Sequence, residues 1–386
     1  MKGWLLIKNN IFFCVFLVAH ILMVGLAING QTHIKDININ KAIFYHFIMT
    51  FLFGLGYLLS INLIKDKKHT TAVQYLTLDK TFFYLAFALT TFGLFTSILT
   101  VNNIYPIKQY ILHLFDYGQH KELLVDIKYK SNTSGLSGIV KMFNYAPLGV
   151  FFIVSSYLNF YKIQKKSDEK KLIGLLVYTI ICSLTKTFFS LDRLTLLGVL
   201  VVMLYTLFFS KTKLKNYFIA VILLIFLILS FITSAKMSNL GIVEFLRLYC
   251  RLGLTNFELL IENPVNYTWG LNTFFMPLYF IAKFFNIPLD VPQAKVVIWD
   301  NAQYFFGYLF LDFKFFSFIV VFLLGIMIAR FQMLINRKKK YAMSMFFVIL
   351  FAISTLVVVP IIRGVEFWLM LIIALGSSWL IKVDNQ

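Results

Sequence analysis

The sequence predicts an all-α integral membrane protein with about ten transmembrane helices. The first reason is composition: 60% of the 386 residues are apolar, only 14% are charged, and 44 are phenylalanine. A water-soluble globule of this length could not cover its surface with so few polar side chains. The other two reasons are the spacing of the apolar windows and the distribution of lysine and arginine between them.

Apolar windows of about twenty residues, long enough to cross roughly 30 Å of hydrocarbon, recur throughout the chain. The first window follows Lys2 and Lys8, as a signal peptide would, but it is long and lacks a clear cleavage site before Gly30. We therefore interpret it as a helix. The predicted spans lie near 9–29, 42–64, 81–101, 143–161, 172–190, 194–210, 217–235, 314–332, 342–361 and 365–381.

Lysine and arginine are distributed unevenly between the connections on the two sides of the membrane. The connections on one side hold 20 basic and 5 acidic residues, and those on the other side hold 16 basic and 12 acidic residues. Cytoplasmic loops carry an excess of lysine and arginine, so both termini are predicted to be cytoplasmic, in a multi-pass protein of the cell inner (cytoplasmic) membrane. The basic residues behind the net charge of +19 are distributed according to the membrane topology. The charge therefore does not predict nucleic acid as a partner.

This topology divides the chain into three parts. Residues 1–235 hold helices one to seven with a smaller outer loop at 102–142, residues 236–313 form a large extracytoplasmic loop, and residues 314–386 hold helices eight to ten. The large loop mixes charges, aromatic residues, glycine, proline and asparagine. An insert of this size is typical of a functional loop, and it is too aromatic for disorder, so we predict the active region there.

Arginines on the predicted outer side are the first candidates for chemistry. Glu244, Arg247 and Arg251 fall at i, i+3 and i+7, on one face of a predicted helix. Guanidinium groups bind phosphate bidentately, and a nearby carboxylate can deprotonate a sugar hydroxyl. The alternative is an exposed row of salt bridges of little energetic value. Arg193 and Arg363, in short outer connections, are either further phosphate ligands or side chains that snorkel to the interface.

Other residue types narrow the chemistry. Asparagine, tyrosine and tryptophan follow the Glu244 helix and suit sugars, because amides bond hydroxyls and flat rings stack on pyranose faces. Taken singly, each aromatic residue fits an interfacial belt better than a sugar site. The sequence has no Gly-rich phosphate loop, no His/Cys cluster and no Gly-x-Ser-x-Gly, and its three cysteines have no zinc or disulfide spacing. We therefore predict no metal and no cofactor.

Three stretches carry a resemblance to a known family. They are SLDRLTLLGVL at the start of the sixth span, WGLNTFFMPLY from Trp269 to Tyr279, and DNAQYFFGYLFLDFKFFSFIVVFLLG, which ends at Gly325. With many spans and one dominant late outer loop, the chain resembles the Wzy-type polysaccharide polymerases of bacterial O-antigen, capsule or exopolysaccharide. It departs from that pattern at Asp192, where a plain Ser or Gly would precede the arginine, and at Lys314, where Gly often follows the Asp-Phe pair.

The resemblance implies a metal-independent glycosyltransferase that moves a growing glycan from undecaprenyl diphosphate to a hydroxyl of another lipid-linked repeat unit. The implied partners are lipid-linked oligosaccharide repeat units in the membrane, with a chain-length regulator and a flippase. The catalytic residues would be Glu244 as the base, with Arg193 and Arg247. The substrate-binding residues would be Arg251, Arg363, Tyr249, Tyr267, Asn272 and Asp312.

Other functions stay open on the same residues. An O-antigen ligase would share the fold and the donor but use a lipid A core acceptor. A lipid-linked oligosaccharide flippase or carrier would bury charged residues in mid-span, where this sequence is nearly free of charge. A polyprenyl-phosphate-dependent glycosyltransferase would place an acidic pair in the first outer loop, where this chain has Asp36 alone.

Overall fold

Helices make up most of the structure. The computed structural model describes residues 7–29, 38–63, 74–116, 119–120, 122–124, 126–127, 130, 142–190, 192–210, 219, 221–222, 224–225, 242–263, 268–288, 304–357 and 360–385. The helices within them are α1 (Ile11–Ile28), α2 (Asn40–Leu63), α3 (Lys80–Asn102), α4 (Ile107–Phe115), α5 (Ala146–Phe160), α6 (Lys166–Ser190), α7 (Arg193–Phe209), α8 (Ile242–Glu262), α9 (Phe275–Phe284), α10 (Phe305–Phe313), α11 (Ser317–Asn336), α12 (Lys340–Thr355) and α13 (Val365–Trp379).

Five segments are long and apolar enough to cross a membrane. They are α1, α2, α3, α6 and the apolar stretch Phe305–Asn336, which contains α10 and α11. Helices α7, α9, α12 and α13 are apolar but shorter. The prediction of a helical membrane protein is confirmed to this extent, and the predicted span at 217–235 lies almost wholly outside the described residues.

The chain forms two compact units, each built from segments that are distant in sequence. Unit 1 consists of residues 1–70, 243–342 and 352–368. Unit 2 consists of residues 71–242, 343–351 and 369–386. Most of the large predicted outer loop therefore belongs to the same unit as the first two membrane helices.

In unit 1, α1 and α2 form an antiparallel pair. Phe13 stacks on Tyr57 with ring centroids 4.9 Å apart, and Phe16 stacks on Phe53 at 3.7 Å. Residues later in α1 contact residues earlier in α2, so the two helices run in opposite directions. Aromatic pairs of this kind add to the free energy gained from packing alone.

Helices α2 and α11 approach closely because each has a glycine at the contact. A side chain at Gly56 would overlap the carbonyl oxygen of Phe322. One at Gly325 would overlap the carbonyl oxygen of Phe53. Small residues let membrane helices pack backbone against backbone, where van der Waals contact replaces the hydrophobic effect as the cause of association.

Helix α5 is the centre of unit 2. Every residue from Ala146 to Tyr157 is buried. The hydroxyl of Tyr157 forms hydrogen bonds with Ser344 on α12, at 3.1 Å, and with Ser377 on α13, at 3.0 Å. These bonds satisfy a phenol that would otherwise be costly inside an apolar core.

A small sheet in unit 2 departs from the predicted all-α architecture. Strand β1 (Gln74–Leu78) is central, parallel to β2 (Lys162–Ile163) and antiparallel to β3 (Ile381–Asn385). All three strands come from connections that the lysine pattern predicts to be cytoplasmic. They are too short, and too close to apolar windows, to be recognised as strands from periodicity.

Candidate functional site

The helix predicted in the large loop is formed, as α8 of unit 1. Leu254 and Phe257 are buried on its inward face. Glu244 is exposed near its N-terminal end, and Arg247 and Arg251 are half-buried further along. The structure therefore places the predicted carboxylate and two predicted guanidiniums on one helix. Because this helix belongs to the same unit as α2, the two arginines are part of a membrane-embedded unit.

The C-terminal half of α8 is fixed to the first turn of α2. Glu258 is buried, and its Oε2 accepts a hydrogen bond from the backbone N–H of Ala42 at 2.6 Å. Glu262 pairs with Lys41 at 2.9 Å on the surface. The first N–H groups of a helix have no partner within that helix, so a carboxylate there acts as a cap.

Asp312 organises the turn that follows α8. Its Oδ1 accepts hydrogen bonds from the Thr268 hydroxyl at 2.5 Å, the Asn272 backbone N–H at 2.9 Å and the Asn272 side-chain amide at 3.1 Å. Its Oδ2 accepts from the backbone N–H of Thr273 at 2.7 Å. Asn272 and Asp312, two predicted substrate ligands, are thus brought together, but both are buried and they bind each other.

Lys314 follows Asp312 closely in the chain and is buried between α10 and α11. The side chain is 6% exposed, and its Nζ has no hydrogen-bond partner among the residues that the structure describes. The Nζ lies 5.8 Å from the centroid of the Phe310 ring, which is a weak cation–π contact. The backbone of Lys314 has φ 48° and ψ −126°, a conformation that favours glycine.

Arg363, another predicted ligand, is held by a tyrosine of α10. Its Nη1 donates a hydrogen bond to the Tyr308 hydroxyl at 2.6 Å, and its Cζ lies 4.5 Å from the centroid of the same ring. The guanidinium has five N–H donors, so this contact orients the group and leaves it capable of binding an anion.

Two histidines that look unrelated in the sequence meet inside unit 1. His20 Nδ1 lies 3.3 Å from His46 Nε2, and His46 Nδ1 lies 3.2 Å from the Tyr304 hydroxyl. All three side chains are buried, and the Phe306 ring stacks on His20 with ring centroids 4.6 Å apart. The result is a hydrogen-bonded chain of three ionisable groups in apolar surroundings.

In unit 2, a buried cluster lies next to Arg193. Lys186 is 2% exposed, and its Nζ donates hydrogen bonds to Asp192 Oδ2 and to Thr195 Oγ1, both at 2.8 Å. The same Nζ lies 3.3 Å from the centroid of the Tyr145 ring, and the Tyr145 hydroxyl donates to Asp192 Oδ2 at 3.0 Å. Asp192 also caps α7. Lys186 and Asp192 each have several hydrogen-bond partners within this cluster.

The electrostatics of this cluster favour an ionised pair. Burial by itself would raise the pKa of the Asp192 carboxyl, but the Lys186 ammonium and the donated hydrogen bonds outweigh it and hold that pKa well below its usual value. Arg193 is the first residue of α7 and is half-buried. Arg193 belongs to unit 2, whereas Arg247 belongs to unit 1.

Some groups of the site were not predicted from the sequence. The pairing of Lys186 could have been predicted, since burying an unpaired lysine in an apolar window costs free energy. Lys314 was noted in the sequence only as a departure from the Gly that often follows the Asp-Phe pair, and the histidine pair carried no comparable signal. Of the remaining predicted ligands, Tyr249 is half-buried on α8, and Tyr267 lies outside the described residues.

The chain matches no family model, no curated protein and no solved structure. Within the part of the chain that the structure describes, no group of three or more His, Cys, Asp or Glu side chains is arranged to hold a metal ion. Any function must therefore follow from the chemistry of the side chains above.

Proposed function

We propose that the chain is a polymerase that joins undecaprenyl-diphosphate-linked oligosaccharide repeat units into O-antigen, capsule or exopolysaccharide at the outer face of the cytoplasmic membrane. The observation that supports this most directly is the pair of half-buried guanidiniums of Arg247 and Arg251 on α8. Their helix is fixed to the first turn of a membrane helix, which is where a lipid-linked diphosphate would lie. Cations fixed in advance stabilise a developing negative charge without reorganisation.

In the proposed reaction, an acceptor hydroxyl attacks the anomeric carbon of the donor glycan. A carbon–oxygen bond forms, and the bond between that carbon and the diphosphate oxygen breaks. The diphosphate leaves with the bonding electrons, and Arg247 and Arg251 stabilise its charge. Glu244 accepts the proton of the attacking hydroxyl, which makes it the proposed general base.

The other predicted ligands are assigned by their surroundings. Arg363, oriented by Tyr308 in unit 1, is a further proposed diphosphate ligand. Arg193, at the start of α7 in unit 2, stays a proposed phosphate ligand. Tyr249 and Tyr267 stay proposed glycan contacts. For Asn272 and Asp312 we now propose an indirect role, because they hold the turn at 268–273 through bonds to each other.

We propose ten spans with both termini in the cytoplasm. Two observations support this: the three strands of the sheet all belong to predicted cytoplasmic connections, and α1 runs antiparallel to α2. Alkaline phosphatase fused after Asn263 should be active, because that site is proposed to lie outside. A fusion after Lys338 should be inactive, and the reverse pattern would overturn the topology.

The ladder of lipid-linked glycans in cells tests the proposed activity. Deletion of the gene should leave single repeat units and remove the longer rungs. Arg247→Ala should reproduce this loss at normal expression, whereas Arg337→Ala, an exposed arginine in a proposed cytoplasmic connection, should leave the ladder unchanged. Long chains that persist on the carrier after deletion would identify a ligase instead.

A proton-coupled carrier of lipid-linked oligosaccharide is the second candidate. The chain His20–His46–Tyr304 favours it, because ionisable groups inside membrane helices commonly form proton relays. The same deletion strain separates the two functions. Repeat units that accumulate on the inner leaflet, with the outer leaflet empty, would identify the carrier and contradict the polymerase.

A further inference from the structure

We propose that Lys314 is an anion-binding residue that holds the phosphate group of a membrane lipid at the start of α11. That this lipid is the undecaprenyl diphosphate donor rests on the proposed function. The binding site itself rests on four observations about Lys314 and its neighbours.

The first observation is that the ammonium is buried without a hydrogen-bond partner among the described residues. The side chain is only 6% exposed. An ammonium removed from water loses its hydration and regains little from one aromatic ring 5.8 Å away. Buried charges are normally paired, so a position that keeps this one is suited to an anionic group from outside the chain.

The second observation is that Asp312, the carboxylate nearest to Lys314 in the sequence, already accepts hydrogen bonds from other residues. Asp312 accepts four hydrogen bonds, from Thr268, Asn272 and Thr273. Its charge attracts Lys314 at longer range. The carboxylate and the ammonium are thus neighbours without forming a salt bridge, and the ammonium can donate to a ligand without breaking one.

The third observation is the backbone of Lys314. A φ of 48° with a ψ of −126° is the conformation of the first central residue of a type II′ turn, which glycine adopts and side chains resist. Glycine would be the stable choice at this position. A lysine there is strained, and strained backbone clusters at ligand sites, so the conformation supports a ligand-binding role for this side chain.

The fourth observation points to a lipid as the source of the anion. Phe315 and Phe316, which follow directly, are 63% and 55% exposed. They belong to the apolar stretch Phe305–Asn336, which is long and apolar enough to cross a membrane, so exposed rings at this position suit contact with a lipid. Thr273, whose N–H binds Asp312, has a buried hydroxyl that also lacks a partner among the described residues.

Binding to the purified full-length chain in a neutral detergent tests the site. The probes are undecaprenyl diphosphate, phosphatidylglycerol and inorganic diphosphate, each titrated against wild type, Lys314→Met, Lys314→Arg and the exposed control Lys283→Met. We expect Lys314→Met to weaken binding of undecaprenyl diphosphate about ten- to hundredfold. Lys314→Arg should retain most of the affinity, and Lys283→Met all of it.

The outcomes separate the site from the proposed reaction. If only phosphatidylglycerol depends on Lys314, the lipid-phosphate site stands and the polymerase assignment loses its donor. If inorganic diphosphate binds as tightly as the lipids, the lipid is not the ligand and the proposal is wrong. The proposal is also wrong if Lys314→Met binds both undecaprenyl diphosphate and phosphatidylglycerol with the same affinity as wild type.

Thermal unfolding excludes a merely structural lysine. Without lipid, Lys314→Met should melt at the same temperature as wild type or higher, since it removes a buried charge that has no partner among the described residues. At an undecaprenyl diphosphate concentration that just saturates wild type, wild type should gain several degrees and the variant much less. A variant that melts far below wild type without lipid would show that Lys314 stabilises the fold, and would contradict the proposal.

Discussion

Lys186 and Lys314 are both buried lysines close to an aspartate, but only Lys186 has hydrogen-bond partners among the described residues. Lys186 binds Asp192 and Thr195, with the Tyr145 ring against its ammonium. Among the described residues, Lys314 has a distant ring and no hydrogen bond. The same residue type is therefore a structural element in unit 2 and a proposed ligand-binding group in unit 1.

The difference follows from what each aspartate accepts. Asp192 Oδ1 accepts only the backbone N–H of Leu194 among the described donors. Its Oδ2 accepts from Lys186 as well as from two hydroxyls, those of Thr195 and Tyr145. Asp312 is filled by the donors of the turn at 268–273. A carboxylate saturated by neutral donors satisfies itself and leaves a neighbouring ammonium available, so the proximity of two charges in a chain does not establish that they pair.

The largest effect should come from Lys186→Met. It leaves Asp192 as a buried carboxylate without its cation, which costs about 3–5 kcal/mol in comparable cases. The free energy of unfolding, measured by denaturant titration in detergent, should fall by that amount. The matched control Lys170→Met removes an exposed lysine from the same helix and should change it by less than about 0.5 kcal/mol. If Lys186→Met lowers the free energy of unfolding by no more than the control does, the proposed contrast between Lys186 and Lys314 is wrong.

Double-mutant cycles should give the next largest effect and measure the contrast directly. The coupling free energy between Lys186→Met and Asp192→Asn should be about 1.5–3 kcal/mol, because the two side chains share hydrogen bonds. The coupling between Lys314→Met and Asp312→Asn should stay below about 0.5 kcal/mol, since Asp312 is satisfied by its turn. Equal coupling in both cycles would mean that Lys314 is paired with Asp312 after all.

The sequence predicts those parts of the structure that depend on local pattern. Long apolar windows predict α1 and α2, and the spacing of Glu244, Arg247 and Arg251 predicts α8 as a helix with both arginines on one face. Lys186 and Asp192 are six residues apart at one helix end, so their pairing is also accessible to sequence reasoning. These features need only the period of a helix and the cost of burying charge.

The rest depends on which distant segments meet, and a single sequence does not contain that information. The bonds between Asp312 and Asn272 join residues forty positions apart, so both looked like candidates for binding sugar. His20 and His46 looked scattered for the same reason. The strained backbone of Lys314 is set by the way α10 meets α11, and the sequence indicated it only through the Gly that often follows the Asp-Phe pair.

The smallest effect, and the finest test of the contrast, comes from glycine at two strained lysines. Lys314 and Lys338 both have positive φ, at 48° and 54°. Lys314→Gly and Lys338→Gly should each raise the free energy of unfolding by about 1 kcal/mol through release of strain. Only Lys314→Gly should lose binding of undecaprenyl diphosphate, because only there does the side chain serve a ligand. Loss of undecaprenyl diphosphate binding by both variants, or by neither, would contradict the contrast.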